Sequence, residues 1–137
     1  MILNIGCGHL NRDRGEIGMD INPACNPDVL GSVEAIPFPD ESFESLKAVH
    51  VLEHIENIVQ AMDECHRVLK KNGRFHIRVP LFPTLGSIAD PTHKRYFIPE
   101  TFRYFTQEGA LSGLKNIWQL GSINTTEQEI YCVLRKA

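Results

Sequence analysis

Short apolar runs alternate with turn residues at the start of the chain, and the period then changes to a helical one. Ile2 to Ile5 (ILNI) is an apolar run stopped by Gly6 and Gly8, which predicts a buried strand entering a tight turn. EIGMDI predicts a second strand ending near Asp20, closed by the turn Asn22-Pro23. DVLGSV is a weaker third strand, and IPFPDESF a proline-rich turn. SLKAVHVL, Ser45 to Leu52, has the continuous apolar character of a central strand buried on both faces. From Asn57 onward Ile58, Met62, Cys65 and Leu69 fall on one stripe, with Glu64, Arg67 and Lys70 off it. That pattern predicts a helix capped by Asn57 and ended by KKNG. RFHIRVP follows as an alternating strand broken at Pro80.

The segment from Leu81 to about Pro99 holds three of the eight prolines and shows no period, so it reads as a long loop with a functional task. PETFRYFTQEG then predicts a short helix, and NIWQLGSI and EQEIYCVLRK two strands joined by the polar turn NTTE. Strands alternating with helices imply an α/β fold with a mainly parallel sheet. At 137 residues the chain is expected to form a single domain, 1–137.

Composition narrows the class. With 42% hydrophobic and 23% charged residues the chain is ordinary for a globular protein, and no apolar run approaches the roughly 20 residues of a bilayer span. No membrane role is expected. MILNIGCG lacks the charged start and long apolar stretch of a secretory signal, so a cytoplasmic location is expected. Cys7, Cys25, Cys65 and Cys132 are scattered without a C-x-x-C pair, which suits core thiols in a reducing compartment. A formal net charge of -3 offers no overall electrostatic reason to bind nucleic acid, HKRYF being the sole basic run of note.

The chemistry starts at NIGCGH. Glycines at 6 and 8, directly after the first strand, let backbone N–H groups approach a ligand closely, although an ordinary strand-to-loop turn uses the same residues. Asp20 ends the second strand, where a carboxylate can accept from both hydroxyls of a ribose. A dinucleotide fingerprint would want a third glycine where Asn11 stands, and about 20 residues before the acid. Here 12 positions separate Gly8 from Asp20.

These residues resemble the class I S-adenosylmethionine-dependent methyltransferases. LNIGCG is similar to their first motif and GMDIN to their ribose-binding acidic motif. AIPFPDESFESLKAVHVLEHI resembles their strand-four region, and ECHRVLKKNGRFHIRVP their following helix and fifth strand. The resemblance runs from Ile2 to about Pro80, and the remaining residues fit it by topology. It implies a Rossmann-like sheet, mostly parallel with a C-terminal antiparallel strand. Only HLNRDRGEI lies between Gly8 and Gly18, so the first helix is expected to be shortened or missing.

The resemblance also implies a cofactor, S-adenosylmethionine, and its site. The turn Ile5, Gly6, Cys7, Gly8 would hold the methionyl part, Asp20 the ribose, and Ile21 would pack on the adenine. Ser32 stands where the family often has an adenine-binding aspartate, and the Val33 N–H would serve the ring nitrogen. His50 would line the cofactor pocket. HVLEH, His50 to His54, has the H-x-x-E-H spacing of a zinc-protease motif. At a strand end, however, His50 and His54 would not share a helical face, so no metal is expected, and Glu53 and His54 are assigned to capping or packing.

DPTHKRYF supplies the acceptor side. Asp90 and His93 lie in the long loop after strand five, on the edge where α/β sheets bind ligands, and are the candidate catalytic residues. Asp90-Pro91 also reads as a plain turn with a solvated His93. The expected function is methyl transfer to a small-molecule acceptor. Many relatives build a substrate lid ahead of strand one. Here the lid is expected from residues 81–107, or from a partner protein or second copy of the chain. The alternatives are a non-catalytic or partner-dependent cofactor-binding module and, further off, a nicotinamide-dependent oxidoreductase.

Overall fold

The computed structural model describes residues 1–9, 11–109 and 111–137. Among these described residues seven strands form one sheet: β1 (Ile2–Ile5), β2 (Glu16–Asp20), β3 (Val29–Leu30), β4 (Phe43–Val49), β5 (Leu69–Pro80), β6 (Gln119–Thr125) and β7 (Glu129–Arg135). Their order across the sheet is β3-β2-β1-β4-β5-β7-β6. The first five are parallel, and β7 inserts antiparallel between β5 and β6. This is the mostly parallel sheet with an antiparallel finish expected from the sequence. The conventional parallel finish that a nicotinamide enzyme would show is absent from the described strands.

One long helix covers one face of this sheet. In α1 (Ile58–Val68) the Asn57 side chain accepts from Gln60 N at 3.1 Å, capping the first turn. Ala61, Met62, Cys65 and Val68 point inward and join Leu3, Ile5, Leu46, Ala48, Phe75 and Ile77 in the core. The helix was expected to run on through KKNG, but Leu69 already opens β5. Leu69 is fully buried and pairs with Phe43, so its burial draws the chain into the sheet before the basic residues are reached. The helix expected over PETFRYFTQEG is a 3-10 helix that already ends at Phe105, Pro99–Phe105, and buries Phe102 and Phe105. A four-residue helix, α2 (Leu85–Ile88), interrupts the long loop. No described helix is long and apolar enough to cross a membrane.

The opposite face carries Asn4, Lys47, Val49, His76, Arg78, Tyr131 and Val133, the residues that alternate with the core set. Parallel sheets usually have helices on both faces. Here the described part of the β1–β2 connection holds no helix, and polar contacts close the gap. Asn4 Nδ2 donates to Glu16 Oε2 at 2.9 Å, and Lys47 Nζ reaches Asp13 at 2.8 Å and Glu16 at 3.3 Å. Arg12 lies across Gly18, where a Cβ would stand 2.6 Å from its Nε, and donates to Asn26 O at 2.6 Å. The shortened connection is thus fastened by side chains instead of by a packed helix.

Candidate functional site

The carboxyl ends of β1, β2 and β4 meet at the glycine turn. Gly6 adopts φ +61°, and a Cβ there would lie 2.5 Å from Val51 Cγ2, so this turn closes against the end of β4 only without a side chain. Asp20 fastens the turn from β2: its Oδ2 accepts from Gly8 N at 3.0 Å and its Oδ1 from Asn22 N at 2.9 Å. Each carboxylate oxygen keeps a second lone pair, enough to accept from a pair of neighbouring hydroxyls.

A cleft of about 240 Å³ opens here, lined by Ile5, Gly6, Asp20, Ile21, Val33 and His50 among the residues singled out from sequence. Met19, Gly31, Val51, His54 and Ile55 complete it. Cys7, Gly8 and Ser32 lie outside its lining. Cys7 is fully buried, with Sγ accepting from Arg12 Nε at 3.4 Å. Gly8 acts through its N–H on Asp20, and the Ser32 hydroxyl accepts from Glu34 N at 3.1 Å in a local turn.

His50 ends β4 in the left-handed region, φ 56°, a conformation a non-glycine residue rarely adopts. It is held there from two sides: its N–H donates to Arg78 O at 2.9 Å, and Nε2 meets Glu129 Oε1 at 2.6 Å. Glu129 Oε2 also accepts from Arg78 Nε at 2.7 Å and from the Tyr131 hydroxyl at 3.0 Å. Burial alone would raise the Glu129 carboxyl, but these donors outweigh it and hold it below the ordinary glutamate value.

Behind His50 lies a second cavity, about 380 Å³, formed by His50, Glu53, His54, Pro80, Gly86, Asp90, His93, Gln128 and Glu129. Asp90 and His93, expected together from sequence, are both in it. His93 Nδ1 lies 2.7 Å from Ser87 O, and a carbonyl can only accept, so the proton sits on Nδ1 and Nε2 presents a lone pair. The Thr92 hydroxyl donates to Asp90 Oδ1 at 2.7 Å and therefore accepts from His54 Nδ1 at 3.1 Å, which leaves His54 Nε2 with a lone pair as well. The Thr92 hydroxyl and backbone N–H hold the Asp90 carboxyl below its ordinary value.

Glu53 is 1% exposed, and neither of its carboxylate oxygens has a hydrogen-bond partner. Burial pushes its carboxyl up. The sequence reading assigned Glu53 and His54 to capping or packing and passed over Glu129. The H-x-x-E-H spacing was the available signal for the first two, whereas Glu129 comes from a strand 79 positions beyond His50.

The sequence profile of a family described as a methyltransferase domain matches residues 3–77. The chain belongs to this family, the class I S-adenosylmethionine-dependent methyltransferases. S-adenosylmethionine is the family's cofactor, and the chemistry of the cleft is compatible with it: the Asp20 carboxylate could accept from a ribose diol, and Ile21, Val33 and Gly6 leave apolar, open walls beside it. Among curated relatives, a ubiquinone/menaquinone biosynthesis C-methyltransferase from Methylobacterium nodulans is 30% identical over 105 residues, 63% of this chain and 42% of that protein. A mouse mitochondrial 2-methoxy-6-polyprenyl-1,4-benzoquinol methylase is 38% identical over 69 residues, 50% of this chain and 20% of that protein. The chain thus spans less than half the length of either. The fold of an Archaeoglobus fulgidus SAM-dependent methyltransferase superposes with TM-score 0.70 at 20% identity, covering 98% of this chain and 85% of that one.

Proposed function

We propose that this chain transfers the methyl group of S-adenosylmethionine to a small-molecule acceptor held in the histidine cavity. The observation that supports this reading is that the cofactor cleft and the histidine cavity share His50 and His54 as walls, so a donor and an acceptor would face each other across them. Methyl transfer from a sulfonium is an in-line displacement, and the protein's main task is to align its two partners. The turn from Ile5 to Gly8 would hold the methionyl part, Asp20 the ribose, and Ile21 and Val33 the adenine. Asp90 and His93 would stand on the acceptor side, where the free Nε2 of His93 could take a proton from an acceptor that must lose one. The loop that carries them, residues 81–107, would serve as the lid. The names of the quinone-pathway relatives support a biosynthetic intermediate as acceptor.

A second reading, a partner-dependent cofactor-binding module, is favoured by Ile21, which is 74% exposed at the adenine end of the cleft. Calorimetric titration with S-adenosylmethionine, S-adenosylhomocysteine and NAD, followed by turnover on a panel of acceptors, separates the two. Selective micromolar binding of the first two with methylated product supports the enzyme. Binding without product supports the module, and binding of NAD alone overturns both.

A further inference from the structure

We infer that Glu53, His54 and His93 form a binding site for a divalent first-row transition-metal ion on the wall of the acceptor cavity. One ligand atom from each residue lies within 4.8 Å of the other two, and Glu53 Oε1 is 3.6 Å from His54 Nε2. Ligand atoms around a tetrahedral ion stand about 3.3–3.6 Å apart, so side-chain torsions are left to close the remainder.

The protons decide what this cluster can hold. His54 and His93 each commit the Nδ1 proton to an acceptor outside the cluster, Thr92 Oγ1 and Ser87 O, and each is left with a lone pair on Nε2. Glu53 adds a carboxylate buried to 1% exposure with both oxygens unpaired. With Glu53 ionised, two lone pairs and a carboxylate converge with no N–H or O–H among them, an arrangement that stays repulsive until a proton or a metal cation enters. Histidines that ligate a metal characteristically donate their other ring N–H to an oxygen that fixes the tautomer, as both do here. Two imidazoles and one carboxylate suit zinc, cobalt or iron better than magnesium or calcium, which prefer oxygen ligands alone.

Room remains for further ligands. Asp90 Oδ2 is 3.5 Å from His93 Nε2, and His50 Nδ1 is 4.0 Å from Glu53 Oε1. The open side of the cluster faces the acceptor cavity. This last step rests on the methyl-transfer reading and replaces its base: with His93 Nε2 taken up by the ion, the ion would bind an acceptor hydroxyl and lower its pKa, and the proton would pass to water. The oxygen lone pair would then form the new C–O bond while the C–S bond breaks. That electron pair stays on sulfur, turning the sulfonium into the thioether of S-adenosylhomocysteine.

The test is titration of the purified, chelator-treated chain with Zn²⁺, Co²⁺ and Mg²⁺ by calorimetry, with the visible spectrum of the Co²⁺ form recorded alongside. One equivalent of Zn²⁺ or Co²⁺ should bind in the micromolar range or tighter, with Mg²⁺ at least a hundredfold weaker, and the Co²⁺ bands should report nitrogen and oxygen ligation. His93→Ala and Glu53→Gln should each weaken Zn²⁺ at least tenfold, whereas His76→Ala, on the open face of the sheet, should not. The Co²⁺ spectrum of the unaltered chain answers the question even where Glu53→Gln does not fold. Zn²⁺ and Co²⁺ failing to bind, or binding equally well in His93→Ala, overturns the site and leaves a proton shared among the three groups. S-adenosylhomocysteine affinity, measured on the same samples, separates the two failures: cofactor binding without metal removes only this site, and metal without cofactor removes only the methyl-transfer reading.

Discussion

His50 Nε2 and Glu129 Oε1 lie 2.6 Å apart, tying the end of β4 to the start of β7 across β5. Glu129 also neutralises Arg78 on the strand between, so one carboxylate serves three strands. Glu129→Ala leaves His50 and Arg78 without their acceptor. Loss of a partly buried charged acceptor should lower stability by about 1–3 kcal/mol. Urea unfolding measures this, and a midpoint equal to that of the unaltered chain would show that solvent replaces the contact fully.

Gly6 and Gly8 both adopt positive φ but differ in what a side chain would meet. At Gly6 a Cβ collides with Val51 at 2.5 Å, while at Gly8 it meets nothing within 4 Å. Gly8→Ala should therefore cost only the left-handed strain, about 1–2 kcal/mol. Gly6→Ala should cost more, because Val51 at the end of β4 must move, and the displaced turn should also weaken S-adenosylhomocysteine binding. Thermal melts and cofactor titration on both variants check the order. If Gly8→Ala proves the more damaging, the packing against Val51 is not what closes the turn.

The parts of this architecture written in local periodicity were legible in the sequence. ILNI, the Asn57 cap with its apolar stripe, and the apolar β4 each carry their own pattern and emerge as β1, α1 and β4. The place of Asp20 at the end of β2, beside the glycine turn, was legible in the same way. What the sequence could not show depends on contacts between distant segments. Leu69 leaves the helix because Phe43 draws it into the sheet, and nothing in KKNG announces that. Nor does any local pattern show that the loop after β5 brings His93 to a ring separation of 4.8 Å from His54. The H-x-x-E-H spacing does not carry its usual helical geometry here: His50 lies in the left-handed region after β4, and Leu52–His54 is a single 3-10 turn.

Asp20 offers the most direct probe of the proposed cofactor cleft. Its two oxygens already hold Gly8 N and Asn22 N, so its orientation is set before any ligand arrives. Asp20→Ala should weaken S-adenosylmethionine binding by about 1–3 kcal/mol through lost charge-assisted hydrogen bonds. Asp20→Asn retains one acceptor oxygen and should fall between. Calorimetry on variants with native-like melting curves provides the comparison, and an unchanged affinity for the alanine variant would remove Asp20 from the site.

Arg67 and Glu64 give the fold a predictable acid sensitivity. Arg67 forms a two-pronged pair with Glu64, Nε to Oε1 at 2.7 Å and Nη2 to Oε2 at 2.9 Å. The same guanidinium donates to Ile36 O at 2.9 Å and Phe38 O at 2.8 Å, fastening the proline-rich turn to α1. Arg67 holds the Glu64 carboxyl below its ordinary value, against the opposing effect of partial burial. A carboxyl whose pKa is lower folded than unfolded contributes stability above its unfolded value, about 4.3, and loses that contribution as pH falls through the folded value. The unaltered chain should therefore lose more stability between about pH 6 and about pH 3 than Glu64→Gln does, while the two differ by a constant amount above about pH 6. Urea unfolding of both proteins across that range makes the comparison. Parallel curves down to the lowest pH at which both fold would mean that the pair carries no net proton linkage.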